Sequence, residues 1–403
     1  MHITILGLGP VGCLVAHHLR QSLPIQHTIA LVHKNLRGMR DARALGEGVT
    51  LENSGVPITV GGFIHEAFDT SDEVKPAESR QRIPPPHLTP TPADPRPEEP
   101  IDSLILCVKA HQTVETIEKL LPRLTPASTI VLLQNGMGIY EDIVTKIFRN
   151  SHERPHFILG SINHGVRLKK HMHVIHGGSG NITFGVVPDG RGRKFEKSSP
   201  TLNLDDITPN TPDDPEASRY LSLRNTVAAL LSMELLNMKW RPMYDVHMAM
   251  RRKVVINSVI NPLTALLNCR NGDLFQHKMA RRICQDVCWE AHHAFHAQWD
   301  EELRAAKADG QDVSSLEFPQ ELSIKNLGDA CRRVAGNTAN NFSSMLLDVR
   351  KGRKTEISWL NGYLVGLGME YNVSMKANNT LLSLIHLRSQ ITPIPLLQSL
   401  THL

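Results

Sequence analysis

Short hydrophobic runs alternate with helical periodicity through the first half of the chain. Mostly apolar runs bounded by turn residues are predicted strands, and they lie at 2–6, 28–33, 58–60, 101–108, 129–134, 157–163 and 181–187. Apolar positions recur at helical spacing in the intervening residues 11–20 and 111–121. Strands that alternate with helices in this way predict an α/β fold built on a doubly wound parallel sheet.

The second half of the chain has a different pattern. From about residue 216 the apolar positions keep helical spacing to the end, and the predicted helices lie at 218–234, 244–266, 278–304, 320–336, 357–369 and 375–389. We therefore predict an all-α C-terminal domain. The expected organisation is a nucleotide-binding domain at 1–187, a polar linker at 188–215 and the helical domain at 216–403.

Polar segments interrupt both halves. Nine prolines fall within residues 76–100, a density that neither a helix nor a strand ladder tolerates, so about 64–100 is predicted to be a disordered surface insert. Residues 188–215 are rich in Gly, Pro and Asp and are predicted to be a second insert at the domain boundary. Residues 305–319 are polar and are predicted to form a loop.

The composition excludes several classes of protein. A net charge of +4, from 44 basic and 40 acidic residues, is too small to predict nucleic-acid binding. No apolar run reaches the roughly 20 residues that span a membrane, and the chain enters a strand directly without a leader segment, so we expect a soluble cytoplasmic protein. The six cysteines form no CxxC pair. Cys284 and Cys288 are four residues apart but lack a tetrahedral zinc pattern, so packing is favoured and no metal is predicted.

The turn after the first strand has the sequence GLGPVG, from Gly7 to Gly12, and a helical run follows it. In a dinucleotide-binding turn the first glycine permits the tight turn, and the second lets the backbone approach a pyrophosphate. The third lets helix and strand pack closely. The strand–turn–helix context favours a Rossmann-type nucleotide site over a purely structural turn.

The residues after the second predicted strand indicate which dinucleotide binds. An NAD site would place Asp or Glu here to bind the ribose 2′-hydroxyl, whereas this chain has Lys34, followed by Arg37 and Arg40. Cations suit a 2′-phosphate, so NADPH is favoured over NADH. The alternative is a basic loop that is simply solvated.

Polar residues follow the next two strands of the predicted sheet. Lys109 lies in CVKAHQT and Asn135 in LLQNGMG. Ligands of open α/β sheets bind outside the carboxyl ends of the strands, so we expect both residues near the cofactor and the substrate.

One predicted helix aligns three polar residues on an otherwise apolar surface. In KVVINSVINP, Lys253, Asn257 and Asn261 are separated by four residues and would stack along one helical face. An ammonium group can stabilise and protonate the oxygen of a ketone during reduction, and amides can hold its polar substituents. Pro262 removes a helical hydrogen bond and is expected to kink the helix. Alternatively, Lys253 extends to solvent and the amides cap the kink.

A second polar segment, SSMLLDVRKGRKTEISWLNG, contains Ser344 and Glu356. TEISWLNG is predicted to begin a helix with Thr355 as its N-cap. Glu356 would then be a first-turn carboxylate that interacts favourably with the helix dipole.

Five stretches together resemble the ketopantoate reductase (2-dehydropantoate 2-reductase) family, and they occur in the family's order along the whole chain: GLGPVG, VKAHQT, LLQNGMG, KVVINSVINPLTALLNCRNGDL and SSMLLDVRKGRKTEISWLNG. The resemblance implies a Rossmann domain joined to an all-helical domain, with the active site in the cleft between them. It also implies the reduction of 2-dehydropantoate to (R)-pantoate by NADPH, on the route to pantothenate and coenzyme A.

The resemblance further implies a role for each matching residue. Lys253 would be the catalytic proton donor. The substrate would be bound by Asn135, Asn257, Asn261, Asn271 and Ser344. The cofactor would be bound by Gly7, Leu8, Gly9, Pro10, Val11, Gly12, Lys34, Lys109, Asn135, Val166 and Glu356.

Two other functions stay open at this point. A reductase of the same family could act on another 2-oxo acid, because an apolar pocket discriminates a methylene by only about 1–3 kcal/mol. A non-catalytic NADPH-sensing protein could keep the glycines, although it would not need Lys253 and Glu356. The oligomeric state is undetermined, with a homodimer as one option.

Overall fold

The computed structural model describes residues 1–69, 99–208, 216–310 and 312–391. Their contacts divide the chain into two compact units. Unit 1 comprises Met1–Gln134 and Tyr140–Val246. Unit 2 comprises Asn135–Ile139 and the described residues from His247 onward.

The strands of the described residues all belong to unit 1. They are β1 (His2–Leu6), β2 (Thr28–Asn35), β3 (Val49–Asn53), β4 (Val56–Val60), β5 (Ile64–Asp69), β6 (Ser103–Leu106), β7 (Thr129–Leu132), β8 (His156–Ile162), β9 (Gly165–Lys170), β10 (His173–Gly178), β11 (Ile182–Val186) and β12 (Met238–Trp240).

The helices are distributed between the two units. They are α1 (Pro10–Ser22), α2 (Leu36–Ala44), α3 (Thr113–Leu120), α4 (Ile139–Lys146), α5 (Ala217–Leu231), α6 (Met243–Leu267), α7 (Lys278–Ala308), α8 (Ile324–Asn337), α9 (Ser344–Arg350), α10 (Asn361–Glu370) and α11 (Lys376–Gln390). Among the described residues, none of these helices combines the length and the apolar character that crossing a membrane would require.

An eight-stranded sheet forms the centre of unit 1, in the order β12-β11-β8-β7-β6-β1-β2-β5. Its neighbouring strands pair in parallel, except that β11 is antiparallel to β8, so β11 and its parallel partner β12 run opposite to the other six strands. Fully buried aliphatic side chains lie in register across the five neighbouring strands β2, β1, β6, β7 and β8: Leu31, Ile5, Ile105, Val131 and Ile158. This continuous burial explains why the sequences of these strands are mostly apolar and do not alternate with polar residues. The predicted Rossmann-type sheet is confirmed.

A second, four-stranded sheet in unit 1 was not predicted. Its order is β4-β3-β10-β9, and it joins a β3–β4 hairpin to a β9–β10 hairpin through the parallel pair β3 and β10. The predicted strand at 58–60 lies here, as part of β4. Ser54 and Gly55 turn the first hairpin with positive φ angles of 50° and 83°. The strand β9 is mostly exposed and basic, which removes the apolar alternation that predicts a strand.

The predicted insert at about 64–100 begins too early. Residues Ile64–Asp69 form β5, which pairs in parallel with β2 at the edge of the main sheet. The error arose because β5 carries His, Glu and Asp among its six residues and is only partly buried. Residues 70–98, which contain all the prolines but the last of that stretch, lie outside the described residues.

The segment predicted as a linker and the first predicted helix of the C-terminal domain also pack in unit 1. Phe195 and Ile207, from the segment at 188–215, join its buried core. So do residues of α5, namely Tyr220, Leu223, Val227 and Leu230. By contacts, the helical unit therefore starts near residue 247 and not at 216. Whether these units are independently folding domains stays a prediction.

Unit 2 is helical and has a separate core. Its buried apolar side chains come from α6, α7, α8, α10 and α11, and they include Val255, Val259, Phe295, Leu327 and Leu364. The helix predicted at 244–266 is observed as α6, and it continues through Pro262 without interruption. The helix α7 runs to Ala308, past the predicted start of the loop at 305.

Candidate active site

The geometry of the glycine turn in unit 1 matches the three roles assigned to its glycines. Gly7 has a φ of +101°, and a Cβ there would lie 2.4 Å from the backbone of Cys107. A Cβ on Gly12 would lie 2.2 Å from the carbonyl oxygen of Gly7, so helix α1 packs directly on the turn. A Cβ on Gly9 would meet nothing within 4 Å. The open side of the turn is thus at the second glycine, where a pyrophosphate would approach.

Helix α1 begins at this turn. Gly9 is the N-cap of α1 and has no side chain that could cap the first turn, and Pro10 occupies the first helical position. The first-turn N–H groups of a helix have no acceptor within the helix and carry partial positive charge. They therefore suit a phosphate. Leu8 and Val11 are partly buried in the same turn and pack against the core of unit 1.

The basic residues after the second strand are exposed, and two of them lie on a helix and not in a loop. Lys34 is an exposed residue near the end of β2, and Asn35 is the N-cap of α2, accepting a hydrogen bond from Gly38 N at 3.0 Å. Arg37 and Arg40 are exposed on that helix. No Asp or Glu occupies this strand end, so three cations are available for a phosphate.

Lys109 and Val166 follow strands of the main sheet. Lys109 is partly buried and is the N-cap of a short 3-10 helix, Ala110–Gln112, three residues after β6 ends. Since β1 and β6 are adjacent and parallel, Lys109 and the glycine turn follow the same edge of the sheet. Val166 follows β8 but lies in β9, where its register partner is His176 in the smaller sheet.

The polar face predicted on α6 is present. Lys253 and Asn257 are partly buried, and Asn261 is only 9% exposed. Burial lowers the pKa of Lys253, the nearby carboxylate of Glu356 raises it, and the resulting pKa is about 8. The ammonium therefore stays mostly protonated at neutral pH, yet it loses its proton far more readily than an exposed lysine.

Glu356 is almost fully buried and close enough to Lys253 to influence its titration. The predicted helix start at Thr355 is wrong in detail. Glu356 itself occupies the cap position of a 3-10 turn, Ile357–Trp359, without a side-chain cap bond, and α10 begins only at Asn361. The carboxylate thus does not cap the helix, and the effect that the structure gives it is to raise the pKa of Lys253.

The segment that carries Asn135 packs on the same part of unit 2. Met137 N donates to the carbonyl oxygen of Trp359 at 3.0 Å. Gly136 has a φ of +97°, and a Cβ there would lie 2.6 Å from that same carbonyl oxygen. Asn135, which is partly buried, therefore belongs to a segment that contacts a residue three positions from Glu356.

Asn271 and Ser344 occupy different environments. Asn271 is 7% exposed, its Nδ2 donates to Thr338 Oγ1 at 2.9 Å, and its buried Oδ1 has no hydrogen-bond partner among the described residues. Ser344 is exposed at the first position of α9. Its neighbour Ser343 is buried, caps α9 by accepting from Leu346 N, and lies 2.7 Å from Thr264 Oγ1 of α6. Ser344 thereby sits beside a direct contact between α9 and the helix that carries Lys253.

A buried network of side-chain amides, which the sequence did not predict, supplies a hydrogen bond that the backbone of α6 lacks. Pro262 has no N–H, so the carbonyl of Ser258, four residues earlier, loses its usual helical donor. Asn361 Nδ2 donates to that carbonyl oxygen at 3.0 Å and also to Asn378 Oδ1 at 3.0 Å. The carboxylate of Glu290 in turn accepts hydrogen bonds from the side-chain amide and the backbone N–H of Asn378. The signal was present in the sequence as Pro262, but its partner lies about a hundred residues away.

Comparison with known protein families identifies the relationship. Residues 69–189 match the family described as ketopantoate reductase PanE/ApbA. Residues 245–389, which contain α6 and Glu356, match the family described as ketopantoate reductase PanE/ApbA C terminal. The chain belongs to the ketopantoate reductase family. It is an oxidoreductase of that family, and the two matches cover about two thirds of its length.

Individual relatives of this chain are named 2-dehydropantoate 2-reductases. A probable 2-dehydropantoate 2-reductase of Schizosaccharomyces pombe is 28% identical over 286 residues, which are 70% of this chain and 73% of that protein. The 2-dehydropantoate 2-reductase of Yersinia pestis is 28% identical over 283 residues, 70% of this chain and 72% of that protein.

Solved structures share the fold at low identity. D-mandelate dehydrogenase with NADH and anilino(oxo)acetate aligns with a TM-score of 0.67 at 17% identity, over 96% of this chain and 98% of that one. A PanE/ApbA family ketopantoate reductase from Ralstonia eutropha JMP134 aligns at 0.65 and 18%, over 96% and 98%. A dimeric ketopantoate reductase from Staphylococcus aureus aligns at 0.59 and 16%, over 97% and 99%.

Proposed function

We propose that this chain reduces 2-dehydropantoate to (R)-pantoate with NADPH, and that Lys253 donates the proton. The observation that carries this proposal is the polar face of α6. A lysine with a lowered pKa lies beside a buried glutamate and in line with two amides, within the segment that matches the ketopantoate reductase family. The relatives named 2-dehydropantoate 2-reductase support the choice of substrate.

The residues of the nucleotide turn fit the proposed cofactor. A bound reduced nicotinamide would supply a hydride to the keto carbon of the substrate. The turn from Gly7 to Gly12 would hold the pyrophosphate, because its open side lies at Gly9. Lys34 would bind the 2′-phosphate that distinguishes NADPH from NADH, and Arg37 and Arg40 are the other exposed cations of that region. Lys109, Asn135, Val166 and Glu356 are the proposed remaining cofactor contacts.

In the proposed mechanism, Lys253 acts on the carbonyl oxygen of the substrate. Negative charge develops on this oxygen as the keto carbon is reduced, and a positioned ammonium stabilises it and then transfers its proton. Glu356 raises the pKa of Lys253 against the effect of burial, which keeps the proton donor charged near neutral pH.

The amides and the serine of unit 2 would orient the substrate. Asn257 and Asn261 follow Lys253 at one and two helical turns and can donate to or accept from the hydroxyl and carboxylate of the substrate. Asn271 offers a buried Oδ1 that has no partner among the described residues. Ser344, exposed beside Ser343, would donate to the substrate carboxylate.

A panel of substrates and both nicotinamide cofactors tests this function. The proposal predicts the highest kcat/KM with 2-dehydropantoate and NADPH, measured as the loss of NADPH absorbance. The second candidate is another 2-oxo acid of similar size, because the same fold occurs in a protein named D-mandelate dehydrogenase. A clear preference for phenylglyoxylate or a branched 2-oxo acid would establish that candidate. Tight NADPH binding without turnover on any of them would overturn the catalytic assignment.

The proposed reaction places the protein in pantothenate and coenzyme A biosynthesis, in the cytoplasm. A homodimer is proposed because a neighbour of the same fold is described as a dimeric ketopantoate reductase. Analytical ultracentrifugation at micromolar concentration tests this: a single species at twice the chain mass supports the dimer, and a species at the chain mass refutes it.

A further inference from the structure

The core of unit 2 contains a cluster of three thiols. Cys284 and Cys288 lie one helical turn apart on α7, with their Sγ atoms 4.0 Å apart. Cys331 on α8 completes the cluster, and all three Sγ atoms lie within 4.8 Å of one another. Each of these side chains is at most 1% exposed. The spacing along the chain predicts that the first pair can share a helical face, but no sequence pattern points to the third member.

The sulfur spacing suits a single ion bound by three thiolates. A thiolate sulfur lies about 2.3 Å from a bound zinc ion, and three sulfurs at that distance in one plane would be about 4.0 Å apart. The observed separations need to shrink by less than about 1 Å, which rotation of the side chains can supply. Within the described residues, no fourth histidine, cysteine or acidic group joins the three at this distance.

The number and the type of ligands select the ion. Closed structural zinc sites use four ligands, and iron–sulfur clusters are held by four cysteines, so a three-thiol set fits neither. Soft sulfur ligands select Cu(I), zinc and iron–sulfur clusters, so Cu(I) is the ion that remains. We propose that Cys284, Cys288 and Cys331 form a three-coordinate Cu(I) site in the helical unit.

Binding of Cu(I) would convert the three thiols to thiolates. Each thiol that becomes a ligand releases its proton to solvent, and copper stays in the Cu(I) state throughout.

The same three thiols could instead be purely structural, or they could form a disulfide. Buried cysteines also act as small hydrophobic residues, and then no metal would bind. A disulfide needs Cβ atoms about 3.5–4.5 Å apart, whereas side chains one helical turn apart have Cβ atoms about 5–6 Å apart. The pair on α7 therefore cannot close without strain, so a disulfide would have to include Cys331.

The test is an anaerobic titration of the reduced, full-length protein with Cu(I) in competition with bathocuproine disulfonate. The proposal predicts one Cu(I) per chain that withstands the chelator, with three sulfur ligands by X-ray absorption. Cys331→Ala should weaken binding at least about 10-fold, since even losing a group behind a metal ligand costs that much. Cys269→Ala, a partly exposed thiol outside the cluster in the same unit, should bind as the native chain does.

Several outcomes would overturn the proposal. These are no retained copper, copper that Cys331→Ala retains fully, or a two-sulfur site that Cys269→Ala abolishes, which would mean an adventitious ion only. A disulfide involving Cys331 in the protein as purified would replace the metal proposal with a redox one. If Cys331→Ala fails to fold by circular dichroism, Cys288→Ala takes its place. Reductase activity is not a readout of this test, so its result is independent of the proposed function.

Discussion

Lys253 experiences two opposed influences on its proton. Burial disfavours the charged ammonium and Glu356 favours it, with a resulting pKa of about 8. An exposed lysine has a pKa near 10.4, so it would transfer its proton less readily at neutral pH. Placing this residue under both influences brings its pKa closer to the working pH of the cell.

The first prediction concerns the pH dependence of reduction. The folded pKa of Lys253 is lowered, so the protonated donor is present below about pH 8 and is lost as the pH rises through that value. At saturating NADPH, kcat should therefore fall above about pH 8. In Glu356→Gln the influence that raises the pKa is absent, so the fall should begin at lower pH. Glu370→Gln, an exposed carboxylate of the same unit, should keep the native profile. An unchanged profile in Glu356→Gln would contradict the coupling.

The second prediction concerns cofactor choice at Lys34. Removing this exposed cation should raise the KM for NADPH by about 10-fold, equivalent to about 1.4 kcal/mol, and should leave the KM for NADH unchanged. The measurement is steady-state kinetics of Lys34→Ala with both cofactors. Lys146→Ala, an exposed lysine on α4, is the matched control. Equal changes for both cofactors would show that Lys34 does not contact the 2′-phosphate.

Residues of the site could be predicted from the sequence wherever their spacing is local. Lys253, Asn257 and Asn261 share a helical face because they recur every four residues, and the structure retains that face. The buried contact of Ser343 with Thr264 and the donation from Asn361 to Ser258 could not be predicted, because each joins residues far apart in the chain. The influence of Glu356 on Lys253 was not predicted either, because the local pattern around Glu356 indicated only a carboxylate in the first turn of a helix.

At the scale of elements, the glycine turn provides a matched pair of substitutions. Gly12→Ala should disturb folding, since its Cβ would lie 2.2 Å from the carbonyl oxygen of Gly7. Gly9→Ala should fold with native thermal stability, because its Cβ meets no protein atom within 4 Å, but it should bind NADPH at least about 10-fold more weakly, through a clash with the pyrophosphate. Thermal melts and NADPH titration give both quantities. Native NADPH affinity in Gly9→Ala would place the cofactor elsewhere.

The network around Pro262 gives a prediction for helix α6. Asn361→Ala leaves the buried carbonyl of Ser258 without a donor and should destabilise the fold by about 1–3 kcal/mol. In a Pro262→Ala background the helix recovers its own N–H donor at that carbonyl. The same Asn361→Ala change should then cost less, with a coupling of at least about 0.5 kcal/mol. Denaturant unfolding of the four proteins measures the coupling. Strict additivity would show that Asn361 does not substitute for the missing donor.

Elements were predicted well where burial is continuous and poorly where it is not. The strands β1, β6, β7 and β8 are buried along their whole length or nearly so, and each was identified from its apolar run. The strands β5 and β9 are polar and partly exposed, and both were missed. Pairing with neighbouring strands stabilises them, and a local pattern does not report that pairing.

At the scale of the whole molecule, composition and periodicity predicted one α/β part and one helical part. They did not predict where the α/β part ends and the helical part begins, because the helix α5 has the same periodicity as the helices of unit 2. Only the packing of α5 in the buried core of unit 1 assigns this helix to unit 1. The C-terminal family match starts at residue 245, close to the start of unit 2 at His247, whereas the first match ends at 189, close to the predicted end of the first domain at 187.

The most direct test of the proposed mechanism compares the native chain with Lys253→Ala in single-turnover reduction of 2-dehydropantoate by NADPH. We predict a loss of rate of at least about 10²-fold, the lower end for removal of a general acid. The affinity for NADPH, measured separately by fluorescence titration, should stay within about 2-fold of native because Lys253 acts on the substrate oxygen. Equal rates for the two proteins would contradict the proposed mechanism and show that Lys253 has only a structural role.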